Sequence, residues 1–348
     1  MRSETMRAML LTGFGGPEML VYRDDVAMPV PGPEEVLIRV GACGVNNTDV
    51  WTREGAYGSG EKAGWASGAF EFPRIQGADS VGTIIEVGHD SLRSRVGQRV
   101  MVNPTVYAPG DDGLFDATYL GSERDGGFAQ FVCVPNGNAH AIESPLSDAE
   151  LATFMTSYLT AEHMLNRAEV EAEETILITG ASGGVGSALV QLASTRGAHV
   201  LAVVGRGKEA PLAGFGVAGI LFRDELDCRP ETIQARIGNR KVDVIADIVG
   251  GAQVAGLLNV LRVGGRYVTA GAIAGKDVEL DWRKIYLKHL TLLGSTMGTQ
   301  VEAKRIVEYV ATGRLKPLLS ATYPLKELAR AQMDFKLKKH FGKLVIIP

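Results

Sequence analysis

A glycine-rich run in the middle of the chain carries the clearest chemical signal. The apolar segment 175–179 leads directly into Gly180-Ala-Ser-Gly-Gly-Val-Gly186, after which apolar residues recur at helical spacing. Small residues in such a turn let the backbone approach a pyrophosphate at a helix N-terminus, where N–H groups and the helix dipole favour anions. The run therefore predicts a dinucleotide-binding turn. The turn residues expected at the cofactor are Ala181, Ser182, Gly183, Gly184, Val185 and Gly186.

Two other nucleotide-binding turns do not fit the neighbouring residues. A P-loop has a lysine directly after its last glycine, whereas Ser187 and Ala188 follow here. The TGxxxGxG turn of short-chain dehydrogenases fits residues 179–186, but that family places the turn near the N-terminus and uses a YxxxK pair for proton transfer. No tyrosine of this chain has a lysine four positions later, which excludes that family.

The second apolar segment, residues 199–204, indicates which dinucleotide binds. An acidic residue at its end would hold the ribose 2′-hydroxyl of NAD, but Gly205 stands there. Arg206 and Lys208 follow, and both can pair with a 2′-phosphate through charge-assisted hydrogen bonds. We therefore predict NADPH as the cofactor.

The two halves of the chain have different hydrophobic periods. In the first half, β-branched and aromatic runs separated by turns predict strands at 36–40, 81–87, 99–102 and 128–134. From about Ser147, helical patterns alternate with continuous apolar runs, which is typical of a parallel sheet covered on both faces. Six strands are predicted there, at 175–179, 199–204, 218–222, 242–249, 266–270 and 290–293.

These patterns predict an α/β chain with a β-rich domain and a doubly wound domain. The first domain covers 1–137, the doubly wound domain covers 138–298, and 299–348 returns to the first domain with a helix at 301–310 and a strand at 343–347. Two long segments, 55–74 and 103–127, read as loops, and loops of that length in a compact domain are often functional.

Composition limits the classes of partner. A length of 348 residues favours two domains, and 36 basic against 40 acidic residues give no reason to expect a nucleic acid or a membrane. Three cysteines without a CxxC pair exclude a disulfide framework and favour a reducing compartment. Glycines interrupt the longest uncharged segment, so it does not predict a transmembrane helix. We expect a soluble, cytoplasmic protein with a small-molecule substrate.

Several segments together resemble one known family in order and spacing. They are 31–40, 44–49, 77–82, 126–130, 159–161 and the glycine-rich turn. Through them the chain resembles the medium-chain dehydrogenase/reductase superfamily, in particular its zinc-free quinone oxidoreductase branch. The resemblance implies a GroES-like catalytic domain, a Rossmann domain that binds NADP(H), an active-site cleft between them, and a homodimer formed through the Rossmann domain.

The residues at the metal position of that superfamily are not zinc ligands. Zinc-dependent alcohol dehydrogenases carry a catalytic cysteine where Asn46 stands and a histidine where Ala78 stands. Catalytic zinc takes three protein ligands and keeps one open position, and Asp79 alone does not supply them. The loop 103–127, where relatives hold a structural zinc with four cysteines, contains none. We therefore expect no metal.

Without a metal, hydrogen bonds or a protein acid must polarise the substrate carbonyl. The resemblance implies that Tyr57, Asn46 and Thr160 contact the nicotinamide end of the site. A phenol has an ordinary pKa near 10, so Tyr57 stays protonated at neutral pH and can donate its proton. Asp49 is expected to be structural, accepting hydrogen bonds from backbone N–H groups.

Further cofactor contacts follow from matching positions at the ends of the later strands. One difference from relatives is Phe222, which replaces a tyrosine that supports the adenosine phosphate, and Arg223 is expected to compensate. The matching residues are Arg223, Ile248, Val249, Gly271, Ala272, Ser295, Thr296, Met297 and Lys343.

The resulting functional hypothesis is a zinc-independent, NADPH-dependent oxidoreductase that reduces quinones or α,β-unsaturated carbonyl compounds by hydride transfer. Two alternatives stay open. One is an alcohol or aldehyde dehydrogenase of the same superfamily, and the other is a non-catalytic NADPH-binding protein resembling the lens crystallins of that superfamily.

Overall fold

The computed structural model describes residues 4–58, 70–108, 117–226, 229–238 and 240–348. The chain forms two compact units, of which the first is Met1–Thr156 with Thr299–Pro348 and the second is Ser157–Gly298. The return to the first unit begins at the predicted residue. The other boundary lies later than the predicted residue 138, because Ala139–Ala141 pairs with Arg99–Val102 in a sheet of the first unit.

Strands predominate in the first unit, whereas strands and helices alternate in the second. The strands are β1 (Thr5–Leu11), β2 (Leu20–Ala27), β3 (Glu35–Gly44), β4 (Arg74–Ile75), β5 (Asp79–Val87), β6 (Arg99–Val102), β7 (Thr105–Val106), β8 (Thr118–Tyr119), β9 (Phe131–Pro135), β10 (Ala139–Ala141), β11 (Thr175–Ile178), β12 (His199–Val204), β13 (Gly219–Phe222), β14 (Val242–Asp247), β15 (Leu261–Thr269), β16 (Thr291–Gly294), β17 (Leu319–Pro324) and β18 (Lys343–Ile347). The α-helices are α1 (Asn47–Arg53), α2 (Asp148–Leu151), α3 (Met155–Arg167), α4 (Gly184–Thr195), α5 (Pro230–Ile237), α6 (Gln253–Val260), α7 (Trp282–Leu287), α8 (Gln300–Ala311) and α9 (Leu328–Leu337). In the described residues, no helix combines the length and the apolar character that crossing a membrane requires.

A seven-stranded sheet forms the centre of the first unit. Its order is β10-β6-β5-β3-β18-β17, with β9 also paired to β3. The closing strand β18 therefore lies beside β3, although the two are far apart in the sequence. Val36, Ile38, Ile84 and Ile346 are completely buried in the core that this sheet covers. Burial of these branched side chains is the main stabilising contribution, at about 1.5–3 kcal/mol each.

A six-stranded parallel sheet forms the second unit, in the order β13-β12-β11-β14-β15-β16. The order reverses direction between β11 and β14, so the carboxyl ends of these two strands open a crevice where doubly wound sheets bind ligands. This arrangement confirms the prediction of a doubly wound domain. The six predicted strands are all present, with ends that differ from the prediction by a few residues, most at the start of β15.

Candidate functional site

The glycine-rich turn joins β11 to α4 as the sequence predicts. Gly180 has a φ of +60°, which glycine adopts without the strain that a side chain would cause. A Cβ atom at Gly186 would lie 2.1 Å from the carbonyl oxygen of Gly180, so only glycine fits there. Gly183 is the N-cap of α4, and no side chain caps the first turn. The first backbone N–H groups of this helix are therefore oriented as a pyrophosphate requires.

The buried carboxylate of Asp247 supports this turn, and this residue was not among the site residues predicted from the sequence. Asp247, at the end of β14, accepts hydrogen bonds from the hydroxyl groups of Thr179 and Tyr267 and from the Val249 N–H at 2.8 Å. It thereby ties together the ends of β11, β14 and β15. A Cβ atom at Gly180 would lie only 3.1 Å from Ile248 Cγ1, so the turn packs closely against the end of β14. Asp247 fixes that strand end.

The predicted contacts at the later strand ends lie along the same edge of the sheet. Ser295 follows β16 and donates its N–H to Thr269 O at 2.8 Å. Thr160 and Met297 are both buried and lie in contact, with 3.5 Å between the Thr160 hydroxyl and the Met297 sulfur. Gly271 follows β15 so closely against Ile248 that a Cβ atom would lie 2.6 Å from Ile248 O. The remaining predicted residues of these loops are Val249, Ala272 and Thr296.

At the end of β12 the chain leaves open space and places cations around it. Among the described residues other than its two chain neighbours, none has a heavy atom within 4 Å of where a Gly205 Cβ would be. Burial lowers the pKa of Lys208, and the charge of Arg223 is close enough to lower it further. Arg206 lies over the ring of Phe222, with its guanidinium carbon 4.6 Å from the ring centre. Phe222 thus supports Arg206 by stacking, an interaction that was not foreseen from the sequence.

A buried cluster in the first unit contains Asn46, the residue that the resemblance aligns with the catalytic cysteine of zinc-dependent alcohol dehydrogenases. Lys343 Nζ donates to Asn46 Oδ1 and contacts Asp79 Oδ2 at 2.8 Å. Asn46 Nδ2 donates to Asp79 Oδ2 at 3.0 Å, and the Thr156 N–H donates to Asp79 Oδ1 at 2.6 Å. The side chains of Asn46, Asp79 and Lys343 are all buried. Lys343 and Asp79 thus form a buried ion pair, and the Asn46 amide makes one hydrogen bond to each of the two charged groups.

The two charges fix the orientation of the Asn46 amide. An ammonium group can only donate hydrogen bonds and a carboxylate can only accept them, so Oδ1 faces Lys343 and Nδ2 faces Asp79. The Asn46 amide is thus engaged with two side chains of the protein, and its expected contact with the nicotinamide stays a prediction. The Lys343 ammonium group is buried against Asp79 and Asn46, and its expected contact with the cofactor stays a prediction. Asp79 and Lys343 are each the first residue of a largely buried strand, which is the signal that could have identified them.

Asp49 is completely buried beside this cluster and serves as a capping residue. Its Oδ2 accepts the Asn46 N–H at 2.7 Å, which completes a capping box at the start of α1 and confirms the expected structural role. In the described part of the chain, Asp49 Oδ1 has no hydrogen-bond partner. Burial raises the pKa of Asp49 to about 7.

The raised pKa of Asp49 predicts a specific pH dependence of stability. Because the folded protein binds this proton more tightly than the unfolded chain does, the protonated carboxyl group stabilises the protein below pH 4, and this stabilisation is lost as the pH rises through about 7. Asp49→Asn, which can still accept the Asn46 N–H, is expected to flatten the fall in unfolding free energy between pH 4 and pH 8, measured by urea denaturation. The control is Asp90→Asn, an exposed site. If Asp49→Asn keeps the parent slope, Asp49 does not titrate in this range.

Tyr57 follows α1 and packs against a second aromatic ring. Its ring centre lies 5.8 Å from that of Trp51, in an edge-on arrangement. Burial and the charge of Asp49 raise the pKa of Tyr57 above its ordinary value, so the phenol stays protonated. The segment 59–69, which the loop prediction 55–74 includes, lies outside the described residues, as does 109–116 within the predicted loop 103–127.

The residues at the metal position do not fit a zinc ion. Asn46 and Ala78 replace a thiolate and an imidazole, and Asp79 is already paired with Lys343. Cys43 is buried, contacts Ser80, and has a pKa raised by burial, so it is not poised as a thiolate ligand. Across the described ranges, no group of three histidine, cysteine, aspartate or glutamate side chains could hold a metal ion.

Comparisons with known proteins agree with this architecture. Family models described as alcohol dehydrogenase GroES-like domain and zinc-binding dehydrogenase match residues 32–144 and 223–346. A quinone oxidoreductase of Lama guanicoe is 29% identical over 98% of this chain and 97% of its own. An NAD-dependent alcohol dehydrogenase of Saccharolobus solfataricus is 28% identical over 99% of this chain and 100% of its own. The crystal structure of a predicted alcohol dehydrogenase from Sinorhizobium meliloti 1021 is 49% identical, with a TM-score of 0.94 over 100% of this chain and 98% of that one.

Proposed function

Because the chain belongs to the medium-chain dehydrogenase/reductase superfamily of nicotinamide-dinucleotide-dependent oxidoreductases, we propose that it is a zinc-independent, NADPH-dependent reductase. The proposed substrates are quinones and α,β-unsaturated carbonyl compounds. The observation that supports this most is the Asn46–Asp79–Lys343 cluster, in which a neutral amide and an internal ion pair include the residue that the resemblance aligns with a zinc-binding cysteine. Hydride addition to a conjugated carbonyl depends less on a metal, because the developing charge is delocalised.

The residues of the second unit would hold NADPH through the turn at 180–186 and the cations after β12. When bound, the cofactor supplies a hydride, which adds both electrons to an electrophilic carbon of the substrate. The negative charge then develops on the conjugated oxygen, and one proton must be added to complete the reduction. Tyr57 is the proposed donor of that proton, and its phenolate would recover a proton from water.

The direct test is a panel of quinones, enones and enoyl thioesters with NADPH, followed by the loss of absorbance of the reduced cofactor. Oxidation that requires one of these substrates supports the proposal. Absence of turnover across the panel, in protein that binds NADPH tightly, would favour the non-catalytic NADPH-binding alternative.

A separate observation supports the alcohol dehydrogenase alternative. Both the Saccharolobus solfataricus relative and the Sinorhizobium meliloti structure carry that description. Oxidation of simple alcohols with NAD or NADP at rates above those for quinones and enones would favour it.

We expect purified protein to contain no stoichiometric zinc and to keep its activity after dialysis against a chelator. The reason is that position 46 offers a neutral amide and position 78 a methyl group, where zinc requires N, S or carboxylate ligands. Metal analysis of the same sample used for activity provides the measurement. One tightly bound zinc per chain, lost together with activity, would contradict it.

We also expect preference for NADPH over NADH, which depends on the cations after β12. Arg206→Ala and Lys208→Ala should each weaken NADPH binding roughly tenfold, because a charge-assisted hydrogen bond contributes about 1.5 kcal/mol at its weaker end. Binding of NADH should change little, since it lacks the 2′-phosphate. Fluorescence titration of both cofactors provides the measurement, and equal affinities in the parent protein would show that the preference is wrong.

A homodimer through the second unit is proposed from one edge of its sheet. β16 is one of the two outermost strands of the six-stranded sheet, and its edge offers backbone groups to a second copy. Trp282, Tyr286 and Leu287 of the neighbouring α7 are apolar and largely exposed. Light scattering after size exclusion tests the assembly, and Leu292→Lys on β16 is expected to yield monomers.

A further inference from the structure

The loops that follow β12 and β13 bring acidic residues against the arginine proposed to bind the cofactor phosphate. The two strands are parallel, and Val204 is paired with Phe222 in register. Arg206 and Asp224 each follow two residues after this pair, so both lie at the carboxyl edge of the sheet. Arg206 Nε donates to Asp224 Oδ2 at 2.7 Å, and a terminal nitrogen of Arg206 donates to Glu225.

These contacts occupy N–H groups of Arg206 that could otherwise donate hydrogen bonds to a phosphate group. The guanidinium group has a fixed planar set of five N–H donors, and two directions are taken by the carboxylates. The side chains of Arg206, Asp224 and Glu225 are 55%, 59% and 43% exposed. Exposed ion pairs contribute little to stability, so another anion can displace the carboxylates from Arg206. The two acids therefore weaken the access of a phosphate to Arg206 without preventing it.

The charge around the open space at Gly205 is consequently smaller than the cations alone would give. Arg206, Lys208 and Arg223 contribute three positive charges, and Asp224 and Glu225 contribute two negative ones. Burial lowers the pKa of Lys208, and repulsion by the nearby charge of Arg223 lowers it further. A bound 2′-phosphate would relieve this repulsion, but it must approach two carboxylates that are already paired with Arg206.

We propose that Asp224 and Glu225 are specificity-determining residues that compete with the 2′-phosphate of NADPH for Arg206. They thereby hold the preference for NADPH over NADH below the level that three cations would produce. This inference rests on the proposed use of NADPH. The opposite role is a positioning one, in which the two acids hold Arg206 over Phe222 ready for the phosphate, and it predicts the opposite sign.

The experiment measures the dissociation constants of NADPH and NADH for the parent protein, Asp224→Asn, Glu225→Gln and the double variant. All three variants change exposed side chains and keep their shape. Asp224→Asn is the cleaner single change, because Glu225 also lies 3.8 Å from Arg236. We expect the double variant to bind NADPH about three- to tenfold more tightly, with NADH affinity changed less than twofold.

Two controls separate competition for Arg206 from a general change in charge. Combined with Arg206→Ala, the double variant should gain twofold or less, because the contested donor is gone. Glu173→Gln removes one negative charge just before β11, at the amino ends of the strands rather than the carboxyl ends. It should leave both affinities unchanged.

The outcomes distinguish the inference from the proposed cofactor preference. Unchanged or weaker NADPH binding in the double variant, in a protein that prefers NADPH, overturns the inference alone. Equal affinities for both cofactors in the parent overturn the preference. If the double variant of such a parent then gains an Arg206-dependent preference for NADPH, the competition is supported, and if it gains none, the inference falls too.

Discussion

Tyr57→Phe is expected to lower turnover on an enone by about 10²–10⁴-fold, the usual contribution of general acid catalysis. The substitution removes one hydroxyl group and leaves the ring that packs against Trp51. NADPH affinity should change much less, because the phosphates are proposed to bind the turn of the second unit. Steady-state kinetics and a cofactor titration on the same preparation provide the measurement.

A quinone serves as the control substrate for this variant, since its reduction requires no protonation of carbon. A defect confined to the enone indicates that Tyr57 protonates carbon, whereas equal defects indicate that it polarises the carbonyl. Tyr22→Phe is the matched control variant, because Tyr22 lies exposed on β2 in the same unit. If Tyr57→Phe behaves like Tyr22→Phe on both substrates, Tyr57 has no part in the mechanism.

Lys343→Met is expected to lower the free energy of unfolding by about 3–5 kcal/mol, the typical cost of leaving one partner of a buried ion pair without its counter-charge. Lys343 and Asp79 are nearly inaccessible, at 4% and 0% side-chain exposure, so water cannot replace the lost ammonium group. Asn46 would lose the donor to its Oδ1 in the same change. Urea denaturation at neutral pH provides the measurement.

Two further variants make this expectation specific. Lys276→Met removes an exposed lysine paired with Asp277 and should change the unfolding free energy by less than about 0.5 kcal/mol. Adding Asp79→Asn to Lys343→Met removes the uncompensated charge and should recover part of the loss. If Lys343→Met alone is as stable as Lys276→Met, the ion pair does not stabilise the fold.

Local patterns were sufficient for the elements that bury a continuous apolar face. The turn at 180–186 combines a strand, a helix and small residues within a short segment, so its conformation was predictable from neighbours in sequence. The strands β12 and β18 match their predicted bounds for the same reason. β2 was not predicted, because no residue of this strand is fully buried and its pattern therefore gives no hydrophobic signal.

Pairings between distant residues were not predictable from such patterns. Asn46 and Lys343 are separated by 297 positions, and only the pairing of β18 with β3 brings them together. Similarly, the contact of Arg206 with Asp224 depends on the parallel register of β12 and β13. From the sequence, Arg206 could be identified as a cation near the cofactor, but not as one already paired with two carboxylates.

The position of β18 has a consequence for the order in which the protein can form during synthesis. The second unit is a single uninterrupted stretch, Ser157–Gly298, and can fold as soon as it has left the ribosome. The first unit must wait, since its central sheet lacks β18 until Lys343–Ile347 emerges. During that interval Asp79 lacks the Lys343 counter-charge, and Cys43 and Gly44 at the end of β3 lack their partners on β18. Chaperones that recognise exposed strand ends would therefore act on the first unit, which starts before the second unit in the chain and is completed after it.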